Sequence, residues 1–341
     1  MASTHDTLLC FTKNGIVHWL KVYNIPQGSR QSKGKAIINL LNLKDDSPSV
    51  LIPLTSFDHH KYLLFCTEKG YVKKTSLSEY SRQRKGGIIA ITLENDDRLI
   101  DVLTTDGEHD ILLATIKGSA IRFSEKEARP VGRSARGVRG IRLRKEDKVV
   151  SAVYLDKEID ILTITKKGYG KRTPSTDYRT IGRSGKGVRN IKVTEKNGDV
   201  VHVLGVVQRN EVMLISRKGI IIRIEVHNVS RIGRNTQGVR LMNLGSDDEV
   251  VAATKVLKEE DEINEIKGGD NMEKDGEKGG EFYPEESEET LDELNKEVEN
   301  DEIYSAEEGM VKGYLEDEFD TMEKSVDDEN DEEESEDEDT E

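Results

Sequence analysis

Leu112-Leu-Ala-Thr-Ile-Lys-Gly118 is followed, fifteen residues on, by Arg133-Ser-Ala-Arg-Gly137 and then Val138-Arg-Gly-Ile-Arg142. The first part is an apolar run closed by a polar turn that ends in glycine. A run of this length without a 3.6-residue period reads as a strand, and the glycine supplies the positive φ that a tight hairpin needs. The last part reads as a short alternating strand.

Working outward, the same pair of elements recurs along the chain. The hairpin element reads Leu8-Leu-Cys-Phe-Thr-Lys-Asn-Gly15, Leu63-Leu-Phe-Cys-Thr-Glu-Lys-Gly70, Leu162-Thr-Ile-Thr-Lys-Lys-Gly168 and Met213-Leu-Ile-Ser-Arg-Lys-Gly219, so the five glycines fall 55, 48, 50 and 51 residues apart. The loop element reads Arg30-Gln-Ser-Lys-Gly34, Arg82-Gln-Arg-Lys-Gly86, Arg183-Ser-Gly-Lys-Gly187 and Arg234-Asn-Thr-Gln-Gly238, with arginines 52, 51, 50 and 51 apart. A short strand follows each loop, including Ala36-Ile-Ile-Asn-Leu40 and Ile88-Ile-Ala-Ile-Thr92. An Asp-rich turn and a further apolar strand close each unit. The expected fold is all-β: a propeller-like array of about five four-stranded blades at residues 4–56, 57–106, 107–156, 157–207 and 208–257. No blade of this size buries both of its faces, so neighbours must supply the core.

The 341 residues carry a formal net charge of −16, but residues 258–341 alone hold 39 acids and 7 bases. Residues 1–257 therefore keep 28 acids and 44 bases. The body is a basic domain. Residues 258–341, rich in Glu, Asp, Gly and Lys, read as a disordered acidic tail, because they offer too little apolar surface to offset chain entropy. A tethered polyanion of this kind would compete for the basic sites. No apolar run approaches the ~18 residues of a spanning helix, and the N-terminus has no basic and apolar leader pattern. Cys10 and Cys66 form neither a disulfide framework nor a zinc motif and read as buried core thiols. The seven histidines are scattered, and no convergent acid, histidine or ligand set recurs from unit to unit. Binding, not catalysis, is the expected chemistry.

The loops point to a polyanion. Arginine forks onto phosphate oxygens, and glycine lets backbone N–H groups approach an anion closely. In a propeller one loop position recurs around one rim. The candidate DNA-binding residues are Arg30, Lys33, Lys35, Arg82, Arg84, Lys85, Arg133, Arg136, Arg139, Arg183, Lys186, Arg189, Arg234 and Arg240. The hairpin cations Lys73, Lys74, Lys171, Arg172, Arg217 and Lys218 read as a second row. Bending 20–30 bp by 40–90° costs roughly 1–6 kcal/mol, so a wrap needs many phosphate contacts and their counterion release.

Several motifs carry a family likeness: Leu20-Lys-Val-Tyr-Asn-Ile-Pro26, Gly70-Tyr-Val-Lys-Lys-Thr75, Gly137-Val-Arg-Gly-Ile-Arg-Leu143, Gly168-Tyr-Gly-Lys-Arg-Thr173 and Ile232-Gly-Arg-Asn-Thr-Gln-Gly-Val239. From Ser3 through Val256 the chain resembles the C-terminal DNA-wrapping domain of bacterial DNA gyrase A, the β-pinwheel. The resemblance implies a non-catalytic module of an ATP-dependent type IIA topoisomerase (an isomerase), cytoplasmic and without a membrane. It implies double-stranded DNA, the rest of gyrase A and gyrase B (an A2B2 assembly) as partners. No cofactor or metal is expected in this chain, ATP and Mg being bound elsewhere in the full enzyme. The family's first blade and its glutamine-arginine-glycine box would lie just before Met1, so a fragment lacking that blade is expected. The box-like Arg82-Gln-Arg-Lys-Gly-Gly87 belongs by register to the following blade. No tyrosine stands in the family's catalytic setting. The alternatives are the related domain of the A protein of topoisomerase IV and a free-standing propeller scaffold.

Overall fold

Apolar runs of about six residues, each broken by a turn glycine, recur as antiparallel hairpins in the computed structural model. It describes residues 2–29, 32, 35–41, 43, 46–156 and 159–256. The chain divides into units Met1–Asn271 and Met272–Glu341; every described residue falls in the first, and the expected acidic tail lies outside them.

The first repeat holds β1 (Thr7–Thr12), β2 (Ile16–Lys21), α1 (Ile37–Leu41) and β3 (Pro48–Leu54). The second holds β4 (Tyr62–Thr67), β5 (Tyr71–Ser76), β6 (Ile88–Ile89) and β7 (Leu99–Thr105). The third holds β8 (Asp110–Thr115), β9 (Ser119–Ser124), β10 (Val138–Arg139) and β11 (Val149–Leu155). The fourth holds β12 (Asp160–Thr165), β13 (Tyr169–Pro174), β14 (Val188–Arg189) and β15 (Val200–Val206), and the fifth β16 (Glu211–Ser216), β17 (Ile221–Glu225), β18 (Val239–Arg240) and β19 (Val250–Val256).

The array is all-β and propeller-like, as expected, but the sheets are not the sequence repeats. Their orders are β3-β1-β2-β6, β10-β5-β4-β7, β11-β8-β9-β14, β15-β12-β13-β18 and β17-β16-β19. Each two-residue outer strand is donated by the following repeat to the preceding sheet. The exchange is fixed by backbone bonds: Gly70 O accepts from Gly140 N and Ile141 N, and Gly168 O from Leu241 N and Met242 N. The fifth sheet has three strands because no later repeat among the described residues donates to it. For the mirror-image reason, the expected strand at Ala36-Ile-Ile-Asn-Leu40 is helix α1 instead. No hairpin precedes β1 among the described residues to receive it, so Ile37, Leu40 and Leu41 fold onto Leu8, Cys10, Leu20 and Leu43, against the outer side of the first sheet.

Four larger cores lie between consecutive blades. Successive side chains of a strand point to opposite faces, so Leu63 and Phe65 of β4 join the core shared with the first blade, while Leu64 and Cys66 join the core shared with the third. Ile111 and Leu113 of β8 likewise face back, and Leu112 faces forward. This two-sided burial explains why the hairpin runs read as continuously apolar. The thiols of Cys10 and Cys66 are fully buried, as expected; burial pushes the Cys10 thiol up to about 11 and holds Cys66 well above the ordinary thiol range. Among the described residues no helix is long and apolar enough to cross a membrane.

Candidate nucleic-acid interface

Each arginine–glycine loop of the second to fifth repeats crosses from its own repeat to the preceding blade. Gly137 takes φ +94°, and a Cβ there would stand 2.4 Å from Val72 O. The close approach that sequence reasoning assigned to phosphate is thus made to the protein's own backbone. In the second repeat the structural counterpart is Gly87 (φ +74°), pressed against His18, whereas Gly86 has open space around it. The spacing Arg82-x-x-x-Gly86 is therefore one residue out of structural register. In that register the counterpart of Arg133 is Gln83, because β6 and β10 take equivalent places on their sheets.

Consecutive loops are bonded in series. Thr92 N donates to Ala135 O at 3.2 Å, Arg142 N to Gly185 O at 2.8 Å and Lys192 N to Thr236 O at 2.9 Å. The first arginine of the third, fourth and fifth loops reinforces the seam. Arg183 Nη1 reaches Arg139 O at 3.4 Å and its Nε donates to Glu127 O at 3.1 Å. Arg234 Nη1 donates to Arg189 O at 3.2 Å and lies over the Tyr178 ring. Arg133 faces Glu79 at 3.7 Å. These three are half-buried braces, Arg133 with 36% of its side chain exposed.

The outer strands put one cation each at equivalent places. Arg139 pairs with Tyr71, Arg189 with Ser119 and Arg240 with Tyr169; Ile89, opposite Ile16, takes the same place on the first sheet. Arg139 and Arg240 stack over Tyr71 and Tyr169 at 5.9 and 5.4 Å, and all three arginines are exposed. Arg240 also donates to the Tyr169 hydroxyl at 3.0 Å, which holds that phenol below its ordinary range. Arg136 and Lys186 are exposed on their loops, Arg136 facing Glu94 at 3.8 Å. Arg82, Arg84 and Lys85 are exposed on theirs; Arg84 and Lys85 line a cleft of about 890 Å³ with Trp19, Lys21 and Leu41. Lys35 is exposed, and Arg30 and Lys33 lie outside the described residues.

The expected second row of hairpin cations is largely internal. Lys73, Lys74, Lys171 and Arg172 are buried. Lys74 Nζ donates to Glu125 O at 3.0 Å and faces its carboxylate at 3.6 Å. Arg172 Nε donates to Val229 O at 3.0 Å and its Nη1 faces Asp160 at 3.4 Å. A cation on a hairpin flank meets the next blade before it meets solvent, and the carbonyls there satisfy it. Arg217 and Lys218 alone of this row stay exposed, Arg217 paired with Glu249.

Sequence reasoning passed over Arg129, Arg179, Arg142 and Lys192, all exposed beside the loops. A signal was present: Arg129 and Arg179 stand four residues before Arg133 and Arg183. Asp106, His109 and Glu125 bring ligand-type atoms within 4.8 Å of one another. Hydrogen bonds already occupy those atoms: His109 Nδ1 with Asp106 at 2.8 Å, and Glu125 with Thr105 Oγ1 at 2.6 Å and His109 N at 3.0 Å.

Strand exchange, inter-blade cores and a basic edge define a β-propeller of tandem repeats whose chemistry suits a polyanion. The chain belongs to the DNA gyrase C-terminal domain, beta-propeller family, whose model matches residues 6–47, 61–106, 109–156, 160–206 and 210–256. It is 40% identical over 271 residues to the DNA gyrase A protein of Klebsiella oxytoca, covering 79% of this chain and 31% of that protein. It is 45% identical over 263 residues to the DNA gyrase A protein of Clostridium acetobutylicum, covering 77% and 32%. The chain thus spans about a third of the length of these relatives. Among solved structures, the C-terminal domain of DNA topoisomerase IV aligns with TM-score 0.70 at 28% identity, covering 79% of this chain and 85% of that one. The DNA gyrase A C-terminal domain aligns with TM-score 0.67 at 24% identity, covering 75% and 84%, a likeness of fold.

Proposed function

We propose that this chain is the DNA-wrapping region of a gyrase A protein, bending duplex DNA along its loop-bearing edge. In that role it presents a bent segment to a breakage–reunion core carried elsewhere, in an assembly with gyrase B that uses ATP. The chain itself supplies no catalytic residue and no cofactor ligand, and it works in the cytoplasm. The observation that carries the reading is the seam of loop-to-loop bonds from Thr92 to Ala135, Arg142 to Gly185 and Lys192 to Thr236. It joins the basic loops into one continuous edge, with Arg139, Arg189 and Arg240 exposed on its outer strands. Lysine and arginine neutralise phosphates without reading bases, so binding is sequence-tolerant and weakens steeply with salt.

The acidic residues 258–341 act in this proposal as a tethered competitor for the same edge. The test is a topology assay with relaxed plasmid and a nicking-closing enzyme. The chain shifts the linking number, and a version ending at residue 257 shifts it further. An unchanged linking number at every protein ratio removes wrapping from the account. The structural likeness to the topoisomerase IV domain favours one second reading, the equivalent region of the A protein of topoisomerase IV.

A further inference from the structure

Two lysines lie buried directly beneath basic loops. Lys73 on β5 is 1% exposed and Lys171 on β13 is 0% exposed. Lys73 Nζ donates to Arg133 O at 2.7 Å and also to Ala90 O, and it sits 4.8 Å over the Phe65 ring. Lys171 Nζ donates to Gly233 O at 2.8 Å and to Thr173 Oγ1 at 3.0 Å. In each case the amine holds a main-chain carbonyl at the start of the next repeat's arginine–glycine loop. The equivalent hairpin positions, three residues after the turn glycine, are His18, Ile121 and Ile222. Ile121 is fully buried, so the site accepts an aliphatic side chain. A buried amine bonded to carbonyls and no carboxylate is costly, and its presence under two loops calls for a role beyond packing.

The charged groups around each amine oppose one another. Arg133 disfavours the ammonium form of Lys73 and Glu79 favours it; the Tyr80 hydroxyl shares the Ala90 carbonyl. Arg234 disfavours the ammonium of Lys171 and Asp177 favours it. Burial outweighs all of these and lowers Lys73 to about 7 and Lys171 to about 8.

We propose that Lys73 and Lys171 are positioning residues for DNA contact, clamping from below the loops that present Arg133 and Arg234, and that their charge state sets how firmly those loops hold phosphate. The inference rests on the DNA-binding reading above. A phosphate at Arg133 or Arg234 offsets the guanidinium charge that opposes the ammonium beneath, so binding draws a proton onto the lysine. By linkage, affinity is greatest at the acid side of neutrality and falls as pH rises through the range of the two lysines.

The test is calorimetric titration of the full chain with a short duplex at about pH 7.5, in two buffers of different ionisation heat. Wild type takes up protons on binding. Lys73→Met with Lys171→Met loses that uptake and binds about tenfold more weakly. Its slope of log K against log salt is unchanged, because neither amine touches phosphate. Lys171→Ile, which copies Ile121, gives half of the effect should the double variant not fold. Binding by wild type without proton uptake, or a folded variant that keeps wild-type uptake, overturns this inference and leaves the DNA reading standing. No duplex binding by wild type overturns both.

Discussion

At the residue scale, two positions show how blade contact sets side-chain chemistry. Gly137 combines a positive φ with a 2.4 Å approach to Val72 O. Gly137→Ala should destabilise the domain by about 1–3 kcal/mol, the cost of an alanine held in that conformation with a clash added. Gly132→Ala, with open space around it, should change stability by less than about 0.5 kcal/mol. Urea denaturation of both variants makes the comparison. Asp101 on β7 clips one blade to the next: its Oδ2 accepts from Ala152 N at 3.0 Å and its Oδ1 from Val102 N at 3.0 Å. Burial raises its carboxyl to about 6 in spite of both bonds. The folded state therefore prefers the proton, so the stability this group gives is present below its unfolded pKa and is lost as pH rises through about 6. Asp101→Asn keeps one acceptor but turns an N–H toward the other backbone donor, so it should cost on the order of 1–3 kcal/mol below pH ~5, and less at pH 8, where burial penalises the wild-type carboxylate. Thermal melts across that range check the sign. The glycine spacing was legible in the sequence, but its reason was not: the atoms that Gly87, Gly137, Gly187 and Gly238 press on belong to the preceding repeat, about 65–70 residues away.

At the element scale, the hairpins were legible because a turn glycine and its flanking apolar runs are local. The outer strands were misread because their partners are not local. Val138 and Arg139 pair with Val72 and Tyr71, and nothing in a two-residue strand says which hairpin it will join. Helix α1 follows from the same rule. Ile37 and Ile38 stand 51 residues before Ile88 and Ile89, yet only the later pair has a hairpin edge to receive it. The outer edge of β17 has no added strand among the described residues, and Ile220 and Ile221 are 48% and 55% exposed there. An exposed apolar edge strand is an association site. Ile221→Lys should lower light scattering at high protein concentration, while the melting free energy moves by less than about 0.5 kcal/mol. Unchanged scattering would mean the edge is already protected.

At the scale of the whole molecule, function depends on equivalent cations sharing one edge. Arg139, Arg189 and Arg240 hold register-equivalent places on three successive sheets. Replacing all three by alanine should weaken duplex binding on every sequence and flatten the salt slope by about 2–3, near 0.9 for each lost phosphate contact. Replacing Arg217, which lies on the last hairpin and pairs with Glu249, should leave the slope within about 0.3 of wild type. Titrations of one duplex at several salt concentrations decide between them. A slope unmoved by the triple variant would place the DNA on another face.

The sequence by itself determined the repeat, the hairpins, the all-β class, the basic body with its acidic extension, and the family. These rest on periodicity and composition, which act over short stretches or over the sum of the chain. Tertiary structure alone decided which sheet each outer strand joins, which glycine of 86 and 87 turns the second loop, and which cations face water. A hairpin flank has its two faces assigned only when the neighbouring blade arrives, and the same lysine is a surface charge or a buried clamp according to what that neighbour brings.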